Sequence, residues 1–306
     1  MDFINTKDFT GSRDDSKIFS IAVIHSVRVS LIVSMIFLFL NSPFLHAQNP
    51  DSISFNYTRV SGSYLKSYFT DSWSIIKSPL HWKTGEWITF GAITGSGVLL
   101  YTQDAAIRDF VQEQRTASGD KFFRYGFEHW GSGYYTVPLL GGLYFGGRLL
   151  KNDRLSATAL TAGKAAAVSA VFVNIVKQAA HRHRPCQDSP ADPANWDGPV
   201  GNRHHTSFPS GHSTLAFSVA SVLASEYSET VWVPVVAYSL AAGTAISRIY
   251  HDKHWASDVL IGSAFGWAAG RFIWKRNQAV KVYPVLADDC SMFSLTLTIN
   301  DRRPKK

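Results

Sequence analysis

Cysteine is nearly absent from this chain of 306 residues: two occur, Cys186 and Cys290. Also missing are internal repeats, low-complexity tracts and long linkers, so one domain is expected rather than an array. Charged residues are sparse, 17% against 45% hydrophobic, which excludes a disordered chain and supplies a sizeable core. There is no basic amphipathic reading helix and no arginine-rich run, so no nucleic-acid partner is expected. The balance is nonetheless basic, 30 Lys+Arg against 23 Asp+Glu. A net charge of +7 suits an anionic partner, either a membrane surface or a phosphate ester.

What is present begins at the N-terminus. "VSLIVSMIFLFLNSPFLHAQ" (29–48) sets an apolar run after Arg28 and closes on Ala47, the pattern of a secretory signal peptide. Leu45 stands where a small residue is preferred, and the preceding stretch has as many acids as bases, which fits an uncleaved anchor. Residues 1–47 are therefore read as signal peptide or N-terminal anchor, and the remainder as exported. In that compartment Cys186 and Cys290 can form a disulfide; two free buried thiols are the other reading.

Residues 48–86 form an N-terminal extension. Within it "ISFNYTRV" (53–60) alternates like a short strand. "YLKSYFTDSWSII" (64–76) places Leu65, Phe69, Trp73 and Ile76 at helical spacing, an amphipathic helix ended by Pro79. Its apolar face is expected to cover the core, with a membrane-surface role as the alternative. Six weakly apolar segments follow, at 87–101, 134–150, 158–180, 212–227, 232–249 and 255–274. All are rich in Ala, Gly and Ser, which allow close helix contact. They define an all-α bundle over 87–275. The tail, 276–306, contains "MFSLTLTI" (292–299), a strictly alternating strand that pairs with 280–286 or with the early strand.

Three polar clusters punctuate the segments. "KQAAHRHRP" (177–185) holds Lys177 and Arg184 seven apart, two turns down one helical face, before Pro185 turns the chain out. Two fixed cations facing one way call for an anion between them; a solvated helix end is the bland alternative. "SFPSGH" (207–212) reads as a helix N-terminus with Pro209 at the first helical position. Its free N–H groups suit phosphate, although an ordinary capped helix reads the same way. Gly211 allows close backbone approach, and His212 projects toward whatever is bound. "SRIYHDKHWASDV" (247–259) brings Arg248 to the end of the fifth segment and His254 to the start of the sixth. His254 and Asp258, four apart, meet on one helical face, so the carboxylate can accept from one imidazole nitrogen and leave the other nucleophilic. Alone, such a pair is more often structural.

Together, K-x6-RP, PSGH and SR-x5-H-x3-D, in this order, are similar to the full signature of the type 2 phosphatidic acid phosphatase and vanadium haloperoxidase superfamily. The resemblance spans 177–258 by motif and the six segments by layout. It implies a six-helix-type bundle, here with a short β appendage, and metal-independent hydrolysis of a phosphate monoester through a phosphohistidine. By the same resemblance His254 is the nucleophile and Asp258 orients it. Lys177, Arg184 and Arg248, with Ser210 and the Gly211 N–H, hold the phosphate oxygens, and His212 serves as acid and base. The residue types suit phosphoryl transfer in their own right, since fixed cations can do the work of a metal. His181, His183, His204, His205 and His251 have no carboxylate or cysteine array at ligand spacing, so no metal is expected and they add polarity at the cleft mouth. The 21-residue loop 186–206 exceeds usual connections and is read as a lid, with Trp196 as substrate contact or loop anchor.

Exported lipid phosphates such as phosphatidate, phosphatidylglycerophosphate or undecaprenyl diphosphate are the first reading of the substrate. A non-specific periplasmic acid phosphatase, lacking an apolar substrate groove, and a vanadate-loaded haloperoxidase are the alternatives. Lipid-phosphate members of the family have six spanning helices and an outward site, and basic "RLLKNDR" (148–154) and the basic tail fit that arrangement. Three features oppose it. A leader sets the start of the first segment outside; only 35 residues separate Gly211 from Ser247, about 24 Å per helix; and mean hydropathy is −0.04. The sequence therefore favours a periplasmic bundle resting on the membrane, with the active site outward.

Overall fold

A computed structural model describes residues 56–278 and two strand backbones, Val282–Val285 and Ser294–Leu297. Residues 1–47, read above as signal peptide or anchor, and Cys290 lie outside the described residues. α1 (Gly62–Lys77) starts where the Ser61 side chain accepts the Tyr64 N–H at 3.2 Å, and it gives way to a 3-10 turn, Ser78–His81, that carries Pro79. α2 (Thr84–Tyr101), α5 (Gly133–Leu149), α6 (Asp153–Ala180), α7 (Gly211–Glu226), α8 (Trp232–Tyr250) and α9 (Ala256–Asn277) are the six apolar segments. Two further helices, α3 (Asp104–Glu113) and α4 (Ala117–Gly126), stand between α2 and α5. β1 (Val282–Val285) pairs antiparallel with β2 (Ser294–Leu297), so the tail strand takes the 280–286 partner. The described part of the early segment, residues 56–60, contains no strand.

The core lies where α5, α6, α7 and α9 meet, around Leu140, Ala162, Ala165, Val168, Val222 and Ile273. α7 and α9 touch along their backbones. A Cβ on Gly262 would stand 2.5 Å from the Ser210 carbonyl oxygen, on Gly266 2.2 Å from that of Thr214, and on Gly270 2.4 Å from that of Ser218. This four-residue spacing of glycines is the small-xxx-small device for close helices. Thr214 Oγ1, donating to the Gly262 carbonyl at 2.9 Å, ties the seam.

α1 reverses the expected orientation. Leu65, Phe69, Trp73 and Ile76 are 54–80% exposed, whereas Tyr64, Ser67 and Asp71 are buried. The cause is charge. Lys164 is buried in α6, and an unpaired interior ammonium is costly. Asp71 satisfies it at 2.6 Å, accepts Arg276 Nε at 2.6 Å, and so turns the polar face inward. The same inversion runs through the bundle. Trp87, Ile88 and Phe90 of α2, Val137 and Phe145 of α5, Val171 and Ile175 of α6, and Trp232 and Val235 of α8 face outward. Ser169, Ser213, Thr214, Ser218, Ser221 and Ser247 face inward. A water-soluble bundle sorts these residues the other way.

Candidate active site

α6 and α8 finish, and α7 and α9 begin, at one end of the bundle. α6 stops because His181 takes a left-handed conformation, φ 42°, with its N–H on the Lys177 carbonyl at 3.0 Å. Arg184 therefore lies in the following loop and not two turns down the Lys177 face. The two cations converge all the same: Lys177 Nζ donates to the Thr206 carbonyl, and Arg184 Nη2 to Thr206 Oγ1 at 3.2 Å.

α7 begins at Gly211 with Ser210 as its cap, so Pro209 precedes the cap instead of occupying the first helical position. Ser210 Oγ accepts from the Ser213 N–H at 3.4 Å and from Ser213 Oγ at 2.9 Å, leaving its own hydrogen to donate. Gly211 faces Lys177; a Cβ there would meet Lys177 Cε at 3.7 Å. From α8 comes Arg248, buried, its Nη2 paired with Glu128 Oε1 at 2.8 Å. The Arg248 carbonyl accepts the N–H groups of Lys253 at 2.9 Å and His254 at 3.3 Å, which folds the turn back and brings His254 beside Arg248.

His254 stands outside α9, which is capped by Trp255 and starts at Ala256. Asp258 occupies the third position of α9 and accepts the Trp255 N–H at 3.1 Å. The pair thus does not share a helical face, and Asp258 Oδ2 lies 3.8 Å from His254 Nδ1, too long for a hydrogen bond. Contacts of this kind commonly tighten when an acid–base site fills. Asp258 is held by Arg182 Nη1 at 2.5 Å and Ser207 Oγ at 2.5 Å. Burial, opposed by Asp258 and reinforced by Lys177 and Arg184, pushes the His254 imidazole down to about 3, so the ring is neutral.

Two partners in this site, Arg182 and Glu128, escape sequence reasoning. Arg182 is fully buried; its Nη2 donates to Asp104 Oδ2 at 2.8 Å and its Nη1 to Ser257 Oγ at 2.8 Å. Trp196 lies over the Arg182 guanidinium, 4.8 Å from it, and is therefore a loop anchor. Glu128, on the 3-10 turn Glu128–Gly131, is the second. Burial would raise its carboxyl, but Arg248 and His251 beside it override that and hold it down. The HRHR run was the one signal for Arg182. No spacing connects Glu128 to Arg248.

Two cavities adjoin these groups. One, of about 580 Å³, has His212, Glu128, Arg115, Arg124, Lys253 and Cys186 in its wall, with α4 and the 3-10 turn on one side. The other, about 330 Å³, is an apolar groove between α5, α6 and α7. Val137, Leu140, Ala166, Val173 and Leu215 line it, and Lys177 and Gly211 close its head. Of the remaining histidines, His251 lines the first cavity, His204 is exposed, and His181 Nδ1 bonds the Gly198 carbonyl at 2.7 Å. His183 and His205 do have a carboxylate companion, contrary to expectation: the loop brings Asp197 between them.

The profile of the PAP2 superfamily matches residues 158–281. Lipid A 1-phosphatase of Porphyromonas gingivalis is 45% identical over 75 residues, 24% of this chain and only 16% of that one. Decaprenylphosphoryl-5-phosphoribose phosphatase of Mycobacterium tuberculosis is 31% identical over 151 residues, 48% of this chain and 75% of that one. Among solved structures, that of Aquifex aeolicus LpxE aligns over 56% of this chain and 94% of its own, at 25% identity and a TM-score of 0.43. With three motifs in order and a relative matched over three quarters of its length, the chain belongs to the PAP2 superfamily.

Proposed function

We propose that the chain is a phosphatase of the cell envelope that hydrolyses the phosphate monoester of a lipid. The observation that carries the lipid is the apolar groove, which leads along α5, α6 and α7 to Lys177 and Gly211. A soluble ester needs no such channel; an acyl or isoprenoid chain fills it while its phosphate rests among Lys177, Arg184, Arg248 and the start of α7. Arg115, Arg124 and Lys253, around the wider cavity, suit an anionic or polyhydroxylated headgroup.

The placement of the imidazoles supports a two-step reaction. His254 Nδ1 faces Asp258, so Nε2 is the atom that attacks phosphorus as the P–O bond to the lipid breaks. Lys177, Arg184 and Arg248 stabilise the charge on the three equatorial oxygens. His212, in the cavity wall, gives a proton to the leaving alkoxide. It then takes one from the water that cleaves the phosphohistidine, releasing phosphate and restoring both histidines.

The outward apolar surface supports a bundle within the bilayer rather than on it. α6 and α8 are long and apolar enough to cross. At 16 residues α7 reaches about 24 Å, a shortfall that a site sunk below the membrane surface accommodates. Arg148, Lys151, Arg154, Lys275 and Arg276 all lie at the end opposite the site. By the positive-inside rule that end is cytoplasmic and the site faces outward.

The test is phosphate release by the detergent-purified chain from phosphatidate, phosphatidylglycerophosphate, undecaprenyl diphosphate, a phosphorylated glycolipid and a soluble ester, with vanadate as inhibitor. One lipid should be strongly preferred, and His254→Ala should lower turnover at least ~10²-fold. Equal use of the soluble ester would remove the lipid reading; an active His254→Ala would remove the mechanism.

A further inference from the structure

We propose that the loop after α6 holds a divalent transition-metal ion between His183, Asp197 and His205, outside the reaction centre. The backbone builds the site first. An antiparallel bridge between Arg182 and Trp196, with the His183 N–H on the Asn195 carbonyl at 3.1 Å and the Asp197 N–H on that of His181 at 3.1 Å, sets residues 183 and 197 side by side. The loop then doubles back tightly. A Cβ on Gly201 would come within 2.1 Å of Asp197 Cβ, and the Asn202 N–H reaches Asp197 Oδ2 at 3.2 Å.

The donor atoms lie close together. Asp197 Oδ1 is 3.2 Å from His183 Nε2, and Oδ2 is 2.5 Å from His205 Nδ1; the three ligand groups lie within 4.8 Å of one another. The other ring nitrogen of His183 faces Asp188 Oδ1 at 2.9 Å, and Asn195 Nδ2 donates to Asp188 Oδ2 at 3.3 Å. That is the carboxylate–histidine arrangement which orients metal-bound imidazoles. If Nδ1–H is donated to Asp188, Nε2 faces a carboxylate oxygen, a contact that either a second proton on this ring or a cation between the two atoms relieves. The ring centroids are only 3.5 Å apart, so charging both rings at once is disfavoured, and a divalent ion competes with the single ring proton for the same lone pair. One divalent ion bridges both neutral rings to the carboxylate and offsets the charge of Asp197 and Asp188. Two nitrogens and one carboxylate oxygen, with bonds of about 2.0–2.2 Å, are a zinc donor set.

The position gives the ion a structural task. His183 immediately precedes Arg184, and His205 immediately precedes Thr206, the residue on which Lys177 and Arg184 converge. The His183 carbonyl also accepts Trp255 Nε1 at 2.9 Å, next to His254. Joining residues 183 and 205 thus fixes the separation of the phosphate-binding cations, while the ion itself touches no reacting atom.

The full chain, purified through a non-histidine tag and dialysed against buffered micromolar Zn²⁺ at neutral pH, should retain one zinc per chain by elemental analysis. Co²⁺ should give visible d–d absorption at the same stoichiometry. Asp197→Asn and His205→Gln, both conservative in size, should abolish retention, and Asp188→Asn should weaken it by about 10–100-fold. Vanadate should bind several-fold more weakly to the metal-free protein. Absence of stoichiometric zinc, or zinc unchanged in both ligand variants, overturns the site. Zinc content is read without any assay of phosphate release, so it stands or falls apart from the phosphatase reading.

Discussion

Arg182 neutralises two buried carboxylates at once, donating to Asp258 Oδ1 at 2.5 Å through Nη1 and to Asp104 Oδ2 at 2.8 Å through Nη2. One guanidinium therefore links α3, the loop after α6 and the first turn of α9. Arg182→Met strips the cation from both acids and should destabilise the fold by about 3–5 kcal/mol, the range for breaking a buried pair by removing one partner. Thermal unfolding in detergent measures it, and Asp104→Asn added to Arg182→Met should restore part of the loss. A wild-type melting curve for Arg182→Met would contradict the network.

His254 makes stability depend on pH in a defined direction. Its folded value, about 3, lies below the ordinary histidine value of 6.5, so between these limits the unfolded chain binds a proton that the folded chain excludes. Stability from this residue is complete above about pH 6.5 and is lost as pH falls toward 3, at up to ~1.4 kcal/mol per pH unit. His254→Gln should flatten that part of the profile. Parallel melting profiles for wild type and His254→Gln from neutral to acid pH would rule the assignment out.

Glu128 holds Arg248 Nη2 at 2.8 Å, so under the proposed mechanism its carboxylate competes with a phosphate oxygen for that guanidinium. Glu128→Gln keeps the shape, removes the charge, and should tighten vanadate binding about fivefold, roughly 1 kcal/mol. Inhibition curves for the two proteins decide the matter; equal or weaker binding by the variant means that the carboxylate has another purpose.

Cys186 gives a native handle on orientation, since it is exposed in the wall of the cavity that contains His212. In a Cys290→Ser background, a membrane-impermeant maleimide should label intact cells at Cys186, and vanadate should slow the labelling. Modification seen only after permeabilisation would place the site on the cytoplasmic side.

The six apolar helices and the three motifs were legible because both are local: helical spacing and K-x6-RP, PSGH and SR-x5-H-x3-D need no partner to be read, whereas the meeting of the motifs was implied by the family resemblance alone. Exact placement was not legible. His181 ends α6 early through its own left-handed backbone, which separates Arg184 from the Lys177 face, and Trp255 takes the cap position that excludes His254 from α9. For α1 the periodicity was right and its sign was wrong. Spacing shows that Leu65, Phe69, Trp73 and Ile76 share a side; only Lys164, almost a hundred residues away, determines that Asp71 faces inward. Arg182 and Glu128 were invisible for the same reason: their partners come from other segments of the chain.

The glycine seam between α7 and α9 has a consequence for how such an enzyme diversifies. It welds the strip carrying Ser210 and Gly211 to the strip that follows His254 and carries Asp258, so the width of the proposed phosphate site is set by backbone contact rather than by exchangeable side chains. Under that reading, differences in specificity fall to the wall made by α4 and the 3-10 turn Glu128–Gly131 and to the furrow beside α5. The chemistry can be inherited unchanged while those two surfaces drift.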